Sequence, residues 1–281
     1  MRYGTLPALA AALLAAACTT APKPPVDAAD VGELKFGSTT LLKGYLARGE
    51  LPDSLALLPP PPADGSDLLL ADRQAFKHLT ALLDGPRGRM ATHDADLGFP
   101  AAADTFNCAL GVVVSEQHTP HLFTLLRRTL TDAGLATYKA KDHYRRTRPF
   151  VVFNAPTCTP KEEAFLRNDG SYPSGHSAVG WAWALVLAEL APDRADAVLQ
   201  RGRAFAQSRG ICGVHWMSDI EAGSMMGAAT MARMHANAVF RAQMGLAAGE
   251  IAAARTRGQI PPASDCAAEA AALATSRQLA P

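Results

Sequence analysis

Residues 170–190 read GSYPSGHSAVGWAWALVLAEL, and they are the strongest indication of the fold class. Residues 172–175 are turn formers, and the apolar run over 177–190 predicts a helix. The helix is apolar on nearly every face, which is typical of a helix buried in a protein core. The sequence around it therefore has to provide the helices that cover it.

Helical patterns do continue on both sides of that stretch. Ser66 is an N-cap for a helix to about Leu83, and Thr119-Pro120 opens a second one whose leucines lie at helical spacing to about Lys141. Further helices are predicted over about 194–209, 215–244 and 267–274. Gly223 and other small residues favour close helix packing. We find no alternating strand pattern and no internal repeat, so the sequence predicts an all-α, single-domain helical bundle.

Composition limits the classes of function. The 281 residues are 48% hydrophobic and 19% charged, enough for one sizeable core. A formal net charge of +1 argues against a nucleic-acid partner, which would require a strongly basic face.

The N-terminus has the pattern of an export signal. A positive start precedes an apolar segment that ends at Ala17, and that segment is too short to span a bilayer. Two processing routes stay open: lipidation of Cys18 as the first mature residue, or simple cleavage and secretion. We predict a signal over 1–17, a tether over 18–50 and the catalytic domain over 51–281. The protein is then periplasmic or an outer-membrane lipoprotein, and any membrane contact is through that anchor.

The four other cysteines are Cys108, Cys158, Cys212 and Cys266. They form no CxxC pair, which disfavours zinc. An even number in an oxidising compartment predicts two disulfides, and all three connectivities remain open.

Three polar segments carry the chemistry. They are Lys141 to Pro149 (KDHYRRTRP), Gly170 to His176 (GSYPSGH), and Ser208-Arg209 followed by His215 and Asp219. Phosphoryl transfer requires positioning of the group and compensation of its charge. Lys141, Arg148 and Arg209 supply three cations, and Ser174 and Gly175 lie at a helix start that favours an anion. No metal is needed to complete such a site.

Two histidines remain for nucleophile and proton donor. His215 and Asp219 are four residues apart, so on a helix they share a face and the carboxylate can orient the imidazole. His176 is the second candidate. Spacing alone does not assign the two roles.

Together the segments match K-x6-RP, PSGH and SR-x5-H-x3-D. The chain thus resembles the type-2 phosphatidic acid phosphatase superfamily, in its branch of bacterial class A non-specific acid phosphatases. Residues 54–62 and 132–137 extend the likeness. The resemblance implies broad hydrolysis of small phosphate monoesters without a cofactor, with His215 as nucleophile and His176 as acid, and it suggests a homodimer.

Four other functions are compatible with parts of the same pattern. Vanadium haloperoxidases resemble the same superfamily, and a pyrophosphate- or nucleotide-directed phosphatase would use the same site. A lipid-phosphate phosphatase is disfavoured because those proteins carry the motifs between membrane-spanning helices. A non-catalytic anion-binding protein would need neither the histidines nor Asp219. Arg145-Arg146 is predicted to be solvated, and His93, His118, His121 and His143 are predicted to be surface or packing residues.

Overall fold

The structure of the protein is a computed structural model, which describes Met1, residues 23–37 and residues 39–278. Within these residues, nine helices of seven residues or more build one bundle. They are α1 (Asp67–Thr80), α2 (Pro86–Asp94), α3 (Pro120–Leu135), α4 (Tyr138–Tyr144), α5 (Gly175–Leu190), α6 (Ala195–Ile211), α7 (Met217–Met234), α8 (Ala238–Thr256) and α9 (Ala263–Gln278). Shorter turns of helix connect them. The predicted all-α bundle is confirmed.

Helix α5 is the centre of the bundle, as its apolar sequence predicts. It packs against α3, α6 and α7. Its Trp183 is fully buried and donates from Nε1 to the carbonyl of Leu126 at 2.8 Å. Glycine allows the closest approach, because a Cβ on Gly223 of α7 would collide with the carbonyl oxygen of Ser174. Close packing at Gly223 was predicted, and it presses α7 against the turn that begins α5.

Two predicted helices are each divided in two. The helix expected to reach Lys141 ends at Leu135 and resumes as α4; between them Thr137 donates from Oγ1 to the carbonyl of Gly134. Such local side-chain bonds compete with helix continuation. The helix expected over 215–244 ends at Met234, and a new helix, α8, begins after Asn237. The Asn237 side chain caps α8, because it accepts from the amides of Val239 and Phe240.

Part of the expected tether is folded. Strands β1 (Glu33–Phe36) and β2 (Thr39–Leu42) pair antiparallel, and Leu42 and Tyr45 are buried on the bundle. The four-residue strands are too short to give a clear alternating pattern, which is why none was predicted. Residues 33–37 and 39–46 therefore belong to the folded body rather than to a free linker.

Two disulfides join distant parts of the chain. Cys108 pairs with Cys266 and fastens α9 to the bundle, while Cys158 pairs with Cys212 near the end of α6. This settles the connectivity that the sequence left open. In the described parts of the chain, no helix is both long and apolar enough to cross a membrane. Apart from Met1, the proposed signal and Cys18 lie outside the described residues.

Candidate active site

The three polar segments meet in one cavity of about 570 Å³. Helix α4 and the turn after it bring Lys141 and Arg148, the start of α5 brings Gly175 and His176, and the end of α6 and the loop after it bring Arg209 and His215. The six predicted site residues that line the cavity are Lys141, Arg148, Gly175, His176, Arg209 and His215. Ser174 and Asp219 are fully buried directly behind it.

Arg209 lies at the C-terminal end of α6 with no exposed surface. None of its three guanidinium nitrogens has a hydrogen-bond partner among the described residues. Burial is the main cause that lowers its pKa to about 10, so the group still carries its charge at neutral pH. A buried cation without partners is costly, and an anion in the cavity would supply the missing acceptors.

Lys141 and Arg148 are both buried and share a carboxylate that the sequence did not single out. Asp169 accepts from Arg148 Nη2 at 2.8 Å and lies 3.5 Å from Lys141 Nζ. Both side chains also donate to backbone carbonyls. One of these is the carbonyl of Gly170, which accepts from Lys141 Nζ at 2.7 Å. Burial and then the charge of Arg148 lower the pKa of Lys141 to about 8. The two cations are therefore fixed in place before an anion arrives.

The PSGH turn presents the start of α5 to the cavity. Ser174 is the N-cap, and its Oγ accepts from the amide of Ser177 at 3.2 Å. The amides of Gly175 and His176, in the first turn, have no partner within the helix and favour an anion. A Cβ on Gly175 would meet only an ordinary contact, 3.6 Å from Thr137. Protein packing therefore does not require this glycine.

His215 precedes α7 and is held from both ring nitrogens. Nδ1 lies 3.4 Å from Oδ2 of Asp219, and Nε2 lies 3.0 Å from Nη1 of Arg148. Since a guanidinium can only donate, this arrangement assigns Nε2 as the unprotonated nitrogen and Nδ1 as the N–H. Burial, and then the charges of Arg148 and Lys141, hold the pKa of His215 well below its usual range. The imidazole of His215 is therefore neutral, with Nε2 unprotonated.

His176 faces the same cavity with a different tautomer. Its Nε2 lies 3.0 Å from the carbonyl oxygen of Ala95, which can only accept, so Nε2 carries a proton. When the ring takes up a second proton, that proton is therefore held by Nδ1. Burial first, and the charge of Arg209 second, lower the pKa of His176 well below its usual range. The tautomers of the two histidines thus separate them, which their spacing in the sequence did not.

Asp219 is supported by a residue that was predicted to be solvated. Arg146 donates from Nη1 to Oδ1 of Asp219 at 2.6 Å and from Nη2 to Asp72 at 2.8 Å, and its side chain is 9% exposed. Asp72 is in turn fixed by the amide of Ser218 at 2.9 Å. Burial raises the pKa of Asp219, and Arg146 is the strongest opposing influence. The prediction for Arg146 was wrong because both of its partners are more than 70 residues away in sequence.

The cavity suits an anion rather than a metal cation. Its cationic side chains and helix start would hold a tetrahedral oxyanion such as phosphate or vanadate. Over the described ranges, no three His, Cys, Asp or Glu side chains lie together as metal ligands would.

Comparison with known proteins places this site in a family. The model of the PAP2 superfamily matches residues 118–242, a range that contains all eight predicted catalytic and phosphate-binding residues. The chain belongs to the PAP2 superfamily, in its branch of bacterial non-specific acid phosphatases, because acid phosphatases of that branch are 40–43% identical to it over 74% of its length. The resemblance found in the sequence is confirmed.

Individual relatives agree over most of the chain. It is 43% identical over 209 residues to the non-specific acid phosphatase of Providencia stuartii, covering 74% of this chain and 84% of that protein. An acid phosphatase of Zymomonas mobilis is 42% identical over 209 residues, covering 74% and 79%. The non-specific acid phosphatase of Salmonella typhimurium is 40% identical over 208 residues, covering 74% and 83%. The solved structure of a bacterial vanadium-dependent iodoperoxidase aligns with a TM-score of 0.49 and 17% identity, over 78% of this chain and 63% of that one.

Proposed function

We propose that this acid phosphatase hydrolyses a broad range of phosphate monoesters through a phosphohistidine on His215, at acidic to neutral pH and without a metal ion. The observation that carries the proposal is the buried guanidinium of Arg209, which has no acceptor among the described residues and shares a cavity with two histidines. Acid phosphatases among the relatives support the reaction class.

The first step transfers the phosphoryl group to the protein. With the phosphate held by Lys141, Arg148 and Arg209, Nε2 of His215 attacks phosphorus, an N–P bond forms and the ester P–O bond breaks. The proton on Nδ1 of His176 goes to the leaving oxygen, which departs as an alcohol. Asp219 stabilises the positive charge that develops on the phosphorylated imidazole.

The second step releases phosphate. His176, now neutral, takes a proton from a water molecule, whose oxygen attacks phosphorus as the N–P bond breaks. The products are inorganic phosphate, free His215 and a reprotonated His176, so the cycle closes without a redox partner. The three cations supply the charge compensation that a metal supplies in other phosphatases.

Rapid quench with labelled ester tests the intermediate. In His176→Ala, dephosphorylation lacks its base, so labelled protein should accumulate with an acid-labile, base-stable bond. His215→Ala is the matched control and should retain no label. Label recovered on a residue other than His215 would contradict the proposed nucleophile.

We also propose that the protein is exported. The apolar segment before Cys18 and the two disulfides support an oxidising compartment. Fractionation of cells that express the wild type and Cys18→Ser decides between the two processing routes. Lipidation predicts that the substitution releases the protein from the membrane fraction, whereas a wild type that is already soluble would favour simple cleavage.

A further inference from the structure

We propose that the hairpin of β1 and β2 forms an aromatic wall for the leaving group, so that this site favours esters of aromatic alcohols over small polar ones. The inference rests on the proposed function of the same cavity. The aromatic wall is defined here as Phe36 of β1 and Tyr138 of α4. Both line the cavity that holds the three cations and the two histidines.

The size of the cavity leaves space beyond the phosphate. Its volume of about 570 Å³ lies in the range of roughly 300–1,000 Å³ that is usual for pockets that enclose whole small molecules. A phosphate group held at Lys141, Arg148 and Arg209 occupies only the cationic end. The remaining lining is largely apolar and includes Leu41, Leu97, Phe99 and Phe165 besides the aromatic wall. A leaving group that reaches this space exchanges water for apolar contact.

The position of the aromatic wall follows from the helix that carries the first cation. Tyr138 and Lys141 are three residues apart on α4, so they lie on neighbouring positions of one helix face. Phe36 meets the ring of Tyr138 edge to face, with ring centroids 5.1 Å apart. Both aromatic side chains therefore line the same cavity as Lys141, where the phosphate of a substrate would be held.

Hydrogen bonds from α3 hold the hairpin against the bundle. On α3, Thr131 donates to the carbonyl of Leu42 at 2.7 Å, and Arg128 donates to the carbonyls of Lys43 and Gly44 at 3.1 and 2.9 Å. Asp132 accepts from the amide of Tyr45 at 2.7 Å. These bonds fix the end of β2 and the chain directly after it, and β2 in turn holds β1 through four residue pairs. The aromatic wall is thereby held in place before substrate binds.

Binding of non-hydrolysable phosphonates measures the aromatic wall apart from catalysis. We expect the wild-type protein to bind phenylphosphonate more tightly than methylphosphonate, by titration calorimetry on the full mature chain. Phe36→Ala should weaken phenylphosphonate by about 3- to 10-fold, the range expected for the loss of one aromatic contact. Methylphosphonate should bind as before. Lys35→Ala is the matched control, because neighbouring strand residues face opposite sides and Lys35 is exposed.

Two further measurements distinguish failure of the aromatic wall from failure of the proposed function. Tyr138→Leu, with its fold checked by circular dichroism, should reduce the preference for phenylphosphonate in the same way. Equal affinity of the wild type for both phosphonates, or an unchanged ratio in both variants, would overturn the aromatic wall. Failure of the wild type to hydrolyse either phenyl phosphate or glycerol phosphate would instead contradict the proposed function, since phosphonate binding requires no turnover.

Discussion

Replacing Arg146 by alanine should slow turnover much more than it weakens substrate binding. Arg146 holds Asp219 at 2.6 Å and Asp72 at 2.8 Å inside the protein. Two opposite charges about 4 Å apart attract each other by about 4 kcal/mol at an effective dielectric constant of about 20. If this attraction stabilised only the transition state, its loss would lower kcat by about 10³. We expect a loss of about 10²–10³, because part of the attraction is also present in the ground state. KM should change little, since Arg146 does not line the cavity.

The pH dependence of kcat separates positioning from loss of stability. Burial raises the pKa of Asp219, and Arg146 opposes that shift. Without Arg146 the carboxyl group takes up a proton at higher pH, and in that form it no longer favours the Nδ1–H tautomer of His215. The acidic limb of the profile should therefore move to higher pH. Arg146→Lys retains the charge and should recover part of both kcat and the acidic limb.

The assay is kcat and KM for a nitrophenyl ester across the acidic and neutral range, with thermal unfolding recorded for each variant. Arg145→Ala, at the exposed neighbouring position, is the control for the local chain. Arg146→Ala should also unfold more easily, because removing one partner of a buried pair costs about 3–5 kcal/mol. A variant that loses stability but keeps the wild-type pH profile and a near-normal kcat would refute the positioning role.

Further predictions concern the catalytic groups and the anion. His176→Ala should lower hydrolysis of alkyl phosphates by about 10²–10⁴ and of nitrophenyl phosphate less, since a good leaving group needs little protonation; an equal loss for both would contradict its role as acid. Asp169→Asn should strengthen inhibition by inorganic phosphate, because the carboxylate competes for two cations of the site, whereas the exposed Asp142→Asn should not; weaker inhibition in Asp169→Asn would mean that Asp169 chiefly positions them. Dialysis against EDTA should leave kcat unchanged, and a loss restored by added metal would oppose the metal-free scheme. Because the lowered pKa of His176 makes its charged form scarce at neutral pH, kcat/KM should rise as the pH falls, and an optimum above about pH 8 would exclude the two-histidine scheme.

Local sequence patterns were enough to predict the helical bundle and the residues that meet in the candidate site. The apolar run over 177–190 and the leucine spacing of α3 are local patterns with the period of a helix, and a helix forms its backbone bonds within itself. The motif residues likewise follow from types and intervals, since Lys141, Arg148 and Arg209 with a PSGH turn are readable without coordinates. These features depend on residues close together in the chain.

The groups that surround that site depend instead on contacts between distant parts of the chain. Arg146 is polar and sits between exposed neighbours, so local pattern predicts solvent; it is enclosed because α1 and α7 bring Asp72 and Asp219 to it. Phe36 came from a segment with no helical or strand signal, and it reaches the cavity because buried polar groups on α3 fasten the hairpin there. Disulfide pairing was equally undetermined. Each of these depends on contacts between residues far apart in the chain, which periodicity and spacing do not encode, because only packing of the complete core brings such residues together.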